Sequence, residues 1–217
     1  MKKIVIPRID IGNAPAPTSD TLSAALESRG LYQPLGEVNW DEYPYRPDVS
    51  LHLGADGQYL YVRFDVRGLG LKAVCTEDNS PVWQDSCVEI FIGSPDGCGY
   101  FNFEMNCIGT LLAAKRRSRN EDVVHFAPDV MSRILRRTSL AHEPFDEKEG
   151  IHEWSAVLGI PFALLGFAEG ERPAMLRANF YKCADETANP HYVSWAPIRT
   201  PSPDFHRPEF FGELYFE

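Results

Sequence analysis

The strongest constraint on the fold lies in residues 82–113, VWQDSCVEIFIGSPDGCGYFNFEMNCIGTLLA, where two runs alternate strictly between core-type and polar positions. In residues 87–92, Val88, Ile90 and Ile92 fall on one side and Cys87, Glu89 and Phe91 on the other. That period of two is the mark of a strand with one packed face. In residues 100–107, Phe101, Phe103, Met105 and Cys107 share a face, while Tyr100, Asn102, Glu104 and Asn106 share the opposite one. The intervening GSPDGCG supplies three glycines, a proline and an aspartate, the composition of a hairpin connection. The expectation is a hairpin whose inner face is core and whose outer face sets Glu89 beside a row of amide and carboxyl groups, with Trp83 at its edge.

The same period recurs along the chain. Residues 2–7 read as an edge strand, broken by the two prolines of residues 13–17. A short helix through Leu22, Ala25 and Leu26 follows, capped by Thr18, Ser19 or Asp20 and closed by Gly30. Residues 40–47 form an irregular, aromatic loop that either covers the core, the simpler reading, or approaches a ligand. Residues 49–53 and 59–66 make a hairpin with Leu60, Val62, Phe64 and Val66 inward and Arg63 outward. Further strands are expected at residues 111–117, 154–160, 175–182 and 191–195 and in the closing FFGELYFE; residues 133–140 fit a helix or a strand nearly equally, the β-rich surroundings favouring the strand. A helical turn falls at residues 128–131 and another at PFALLG, and residues 143–150 form an acidic surface loop. With aromatics at 12% of the chain, this pattern describes an all-β protein: a jelly-roll-like β-sandwich of about ten strands with one or two short helices, residues 1–217 forming a single domain.

Composition narrows the function classes. A formal net charge of −10 opposes nucleic-acid binding, which depends on basic neutralisation of phosphates. The one basic cluster, residues 115–119, reads as a solvated strand end. No run approaches the roughly 20 apolar residues of a membrane span. The first residues reach Pro7 and Arg8 before any secretory core, so the expected compartment is the cytoplasm, or the periplasm or exterior had a leader been removed. Five cysteines without a CxxC pair suggest reduced, space-filling thiols and no zinc site. The oxygen-rich CTEDNSPVW offers Glu77 and Asp78, with Asn79, as candidate ligands for a structural calcium; no other cofactor is expected. Nothing in the chain specifies an oligomeric state.

No GxSxG, HExxH or phosphate-cradling glycine loop is present. A saccharide site needs a flat aromatic surface and rigid hydrogen-bonding groups. Trp83 and Trp195 are candidate platforms, and both could equally pack on the core. Glu89 would accept hydroxyl hydrogens, Asn102, Asn106 and Asn179 would donate and accept, and Arg63 or Arg177 would donate. A glycoside-cleaving alternative would pair Glu89 with Glu104 or Asp85.

The runs PVWQDSCVEIFI, GYFNFEMNCIG, RANFYKC and HYVSWAPIRTPSPDFHRPEFFGELYF resemble the family 9 carbohydrate-binding modules, in a stand-alone branch, from about Leu51 onward. The resemblance implies a β-sandwich that binds, without catalysis, the end of a mono- or oligosaccharide, in the service of carbohydrate catabolism. It implies Trp83 and Trp195 as a clamp and Glu89 as hydroxyl acceptor, and it allows a structural calcium. Asn102 stands where family members can carry an arginine, so the hydrogen-bonding pattern differs. A haem-carrying DOMON-like relative of the sandwich would instead need Met105 and a histidine as axial ligands.

Overall fold

The computed structural model describes residues 1–9 and 19–217, so Thr18 and the break at residues 13–17 lie outside the described residues. Two sheets face each other, as expected for a sandwich. The larger has the order β1(Lys3–Ile6), β14(Gly212–Phe216), β12(Met175–Cys183), β6(Cys87–Gly93), β7(Tyr100–Asn106), β8(Leu111–Arg116) and β9(Val124–His125). Beside β12 runs β13(Tyr192–Ser194), which also pairs with β3(Glu37–Val38). The smaller sheet has the order β10(Leu135–Thr138), β11(Phe145–Pro161), β5(Tyr59–Ala73), β4(Asp48–Ala55) and β2(Leu31–Pro34). Only β1 and β14 run parallel among these pairs.

The central hairpin forms in the expected register. Cys87 pairs with Asn106, Glu89 with Glu104 and Gly93 with Tyr100. The turn closes through Ser94 N–H to Gly99 O (3.0 Å), and Gly97 and Gly99 both take positive φ, which an L side chain resists. Val88, Ile90, Ile92, Phe101, Phe103 and Met105 are buried in the core between the sheets, against Leu60, Val62, Phe64 and Leu158 of the smaller sheet. Met105 is therefore a packing residue, and an axial haem ligand is not what its position provides.

A helix, α1(Ser19–Arg29), lies on the outer face of the smaller sheet, where Leu22 and Leu26 pack on Tyr61 and Val157; Gly30 N–H closes it onto Leu26 O at 2.8 Å. The turn α2(Pro128–Met131) starts at a proline, as anticipated, and PFALLG yields a 3-10 turn at Phe162–Leu165. Two expectations need correction, and a third, open between two readings, is met in both. The acidic residues 143–150 largely join β11, because that strand continues along β5 through two register shifts instead of ending in a loop. The basic residues 115–119 are only partly a solvated strand end, since Arg116 is buried. In residues 40–47, Trp40 covers the core, donating to Thr200 O at 2.9 Å, but Tyr43 faces a cavity.

Trp195 also belongs to the core. It is fully buried, packs edge-on against Phe180 with centroids 5.6 Å apart, and donates from Nε1 to Gln33 Oε1 at 3.3 Å. A Cβ at Gly212 would collide with its ring, so β14 crosses it only because that position is a glycine. Truncating a buried aromatic leaves a cavity costing about 3–5 kcal/mol. Trp195→Ala is accordingly expected to lower stability by about that amount, measured by urea denaturation with an unchanged m-value. A loss under about 1 kcal/mol would show that the ring is not the packing element described.

Candidate functional site

The outer face of the larger sheet carries the side chains that alternate with the core: Cys87 and Glu89 on β6, Asn102 and Glu104 on β7, Leu112 and Arg116 on β8, and Tyr181 and Cys183 on β12. The long segment after β13 folds back over part of this face, with Phe205 stacked on Tyr181 at 4.2 Å and His206 Nδ1 2.8 Å from the Tyr100 hydroxyl. What stays open is a cavity of about 640 Å³. Its floor is Glu89, Glu104, Leu112 and Cys183. Trp83 forms one wall, Tyr43, Tyr192 and Phe205 line another part, and Arg116, Arg119, Asn120 and His125 complete the rim.

Trp83 reaches the cavity from a 3-10 turn, Val82–Gln84, that follows Pro81. Its neighbour Val82 is fully buried and anchors the turn, leaving the indole 36% exposed. The turn is also tied to the loop after β12, since Asp185 and Glu186 donate from their backbones to Trp83 O (3.1 Å) and Gln84 O (3.2 Å).

Glu89 and Glu104 face each other across the β6–β7 pair and are 3% and 4% exposed. Cross-strand partners on one face have Cβ atoms about 5 Å apart. Glu89 Oε1 accepts from Cys183 Sγ at 3.0 Å. Glu104 Oε1 accepts from Asn102 Nδ2 at 2.8 Å, and Asn102 Oδ1 in turn accepts from Arg116 Nε at 2.8 Å. Burial, and then the neighbouring Glu104 carboxyl, push the Glu89 carboxyl well above its ordinary range. Burial raises Glu104 to about 7, against the pull of Arg116 and the Asn102 hydrogen bond. Asp185, at the cavity edge, is raised by burial to about 6. His206, buried beside Arg116 and Arg119, is pushed down to about 3 and is neutral near pH 7. The floor is thus a carboxyl pair that resists double ionisation, in which one oxygen of each group accepts a hydrogen bond within the protein and both side chains line the cavity.

The expected site residues divide into those that meet here and those that do not. Trp83 and Glu89 line the cavity. Asn102 lies beneath it and orients Glu104 and Arg116. Asn106 is spent on structure: Nδ2 donates to Cys75 O and Asp85 Oδ2, and Oδ1 accepts from Thr110 N. Asn179 pins the chain after Trp195, through Nδ2 to Ala196 O and Oδ1 from Ala196 N. Asp85 likewise accepts from the Val74 and Cys75 amides and is no second acid. Arg177 lies in a separate groove and donates to Glu209 O and Phe211 O, both at 3.3 Å. Arg63 is on the other sheet, paired with Asp65 and with Glu27 of α1. Trp195, buried in the core, cannot be the second wall of a clamp.

In the expected calcium loop, the Asp78 carboxylate is held by Arg136 at 2.6 and 2.8 Å and accepts from Leu111 N, while Asn79 Oδ1 accepts from Ala113 N. Glu77 is exposed and stands apart from that pairing. Among the described residues the one cluster with metal-ligand spacing is Cys87, Glu89 and Cys183. All five cysteines are free. No helix among the described residues is long and apolar enough to cross a membrane.

The wall and rim residues Tyr43, Arg119, His125, Asp185 and Tyr192 carried no period-two signal, because they come from loops or strand ends that converge only in three dimensions. Glu104 did carry one and was read onto the Glu89 face as its possible partner. Arg116 carries the same alternation on β8, which could have placed it at the site.

Comparison with known proteins agrees with this architecture. The model of carbohydrate-binding family 9 matches residues 20–216. A crystal structure of a provisionally assigned carbohydrate-binding protein from Bacteroides uniformis superposes with a TM-score of 0.92 at 35% identity, covering 100% of this chain and 99% of the other. Two structures of a family 9 carbohydrate-binding module from Caldicellulosiruptor kristjanssonii, one with glucose and one with cellotriose, superpose with TM-scores of 0.57 and 0.55. Each is 14% identical, covers 100% of this chain and is itself covered to 96% and 94%, and so shares the fold. No curated protein matches the chain. A family model spanning nearly all of the sequence, with a relative 35% identical over its full length, places the chain in carbohydrate-binding family 9.

Proposed function

We propose that the protein binds a saccharide end, without catalysis, in the cavity between Trp83 and the Glu89–Glu104 floor. The observation that carries this reading is that a partly exposed indole and two buried carboxyls line one cavity. The C–H face of a pyranose ring stacks on an indole, and its hydroxyls need acceptors held at fixed positions. Glu89 and Glu104 supply those acceptors. Arg116 and Asn120 are further donors at the rim. Family membership supports the reading, as do the glucose and cellotriose bound by the Caldicellulosiruptor module. Retaining or delivering a sugar in this way would serve carbohydrate catabolism.

The platform here is a single tryptophan, and the surrounding tyrosines and Phe205 take the place of a paired indole. Trp83→Ala is expected to weaken binding of glucose or cello-oligosaccharides at least about tenfold by isothermal titration calorimetry, equivalent to about 1.4 kcal/mol. The melting temperature should change little, because the indole is partly exposed. Undiminished affinity would refute the platform role.

One observation favours a second reading. Glu89 and Glu104 are directly opposed on one cavity-lining face, and glycoside cleavage works through two carboxyls flanking one bond. That reading requires release of reducing sugar from some glycan, lost in Glu89→Gln. The binding reading requires that no such release occur across a broad glycan panel.

The carboxyl pair also fixes the sign of the pH dependence of stability. Glu104 has a folded-state value of about 7, above its ordinary 4.5. Its stabilising contribution is therefore complete below about pH 4.5 and is lost as the pH rises through about 7. Unfolding free energies measured by denaturant between pH 5 and 8 should decline with pH in this region, and Glu104→Gln should flatten the decline. An equal slope in the variant would count against a protonated pair.

A further inference from the structure

The cavity is electrostatically two-sided. Around Arg116 and Arg119 the charges are matched: Arg116 lowers the proton affinity of Glu104, and Arg119 Nη1 lies 3.3 Å from Asp204 Oδ1. At the Trp83 end they are not. Glu89 has a thiol as its hydrogen-bond partner, and Asp185, whose backbone is bonded to Trp83 O, makes Glu89 harder still to ionise. Burial raises Asp185 itself to about 6, against the Tyr192 hydrogen bond and the charges of Lys182 and Arg119. The Lys182 ammonium is directed away, bonding Cys183 O at 2.6 Å and His191 Nε2 at 2.9 Å, and does not line the cavity.

The walls at this end are aromatic. Tyr43 and Tyr192 meet edge to face with centroids 4.8 Å apart, and Trp83 completes the surround. Aromatic faces attract cations, and the attraction strengthens where water is excluded. Neutral hydroxyls would satisfy the acceptors but would do nothing to help the buried Glu89 and Asp185 carboxyls ionise. An ammonium satisfies both the acceptors and the charge.

We propose that the preferred ligand is a saccharide bearing a free amino group, as a hexosamine does, with its ammonium between Glu89 and Asp185 at the Trp83 end and its hydroxyls toward Arg116 and Asn120. This inference rests on the saccharide reading above and names the class of sugar.

The test is calorimetric titration of the full chain at neutral pH with glucose, glucosamine and N-acetylglucosamine. Glucosamine is expected to bind about tenfold more tightly than glucose, about 1.4 kcal/mol, and N-acetylation, which removes the charge, should abolish that advantage. Asp185→Asn, confirmed folded by its thermal melt, should narrow the glucosamine-to-glucose ratio. Glucose binding as tightly as glucosamine would overturn the amino-sugar assignment while leaving the saccharide reading standing. Failure of all three sugars to bind would overturn both.

Discussion

Two carboxyl groups buried side by side are expensive, because each must leave water and each opposes ionisation of the other. In this protein the antiparallel pairing of β6 with β7 imposes that arrangement, since Glu89 and Glu104 occupy directly opposed positions on one face. The outer face of the larger sheet is organised to tolerate it. Asn102 bridges Glu104 to Arg116, Cys183 donates to Glu89, and Tyr181, Phe205 and His206 cover the flank. A core of plain aliphatics would be simpler and at least as stable. Keeping the pair therefore points to a use for it, which the cavity it lines supplies.

The cavity depends on elements distant in sequence. The turn carrying Trp83 is bonded to the loop after β12, and the segment after β13 folds back over the sheet, fastened by Asn179 to Ala196 and by Asn39 to Ile198. Asn102, Asn106 and Asn179 thus work mainly as scaffolding. All three are fully buried, and an unpaired amide there would cost about 1–3 kcal/mol, so each is bonded within the protein. A polar residue on a sheet face is as available to the backbone of a covering loop as to a ligand. Burial decides which it serves.

Trp195 illustrates the same limit from the apolar side. It follows directly on β13, and its indole lies beside Gly212 and fills the core next to Phe180. Tryptophan is both a good core filler and a good stacking platform, and its identity does not distinguish the two. Arg63 and Arg177 were equally ambiguous. Both point outward from strands as the alternation requires, but one lies on the opposite sheet and the other in a separate groove, held by backbone carbonyls.

The amino-acid order by itself determined the sandwich, the register-bearing hairpin of residues 87–106 and the outward placement of Glu89, because side chains on a strand must alternate and apolar ones must leave water. It also determined the family, through runs spread over most of the chain. Only the tertiary structure decided which sheet each strand joined, and hence that Trp83 faces Tyr43, Tyr192 and Asp185 in a cavity while Trp195, Asn179 and Arg63 serve the framework. The physical reason is that period two specifies a side of the strand and nothing about what lies across from it. Loops and neighbouring strands settle that, through contacts between residues as far apart as Tyr43 and Asp185.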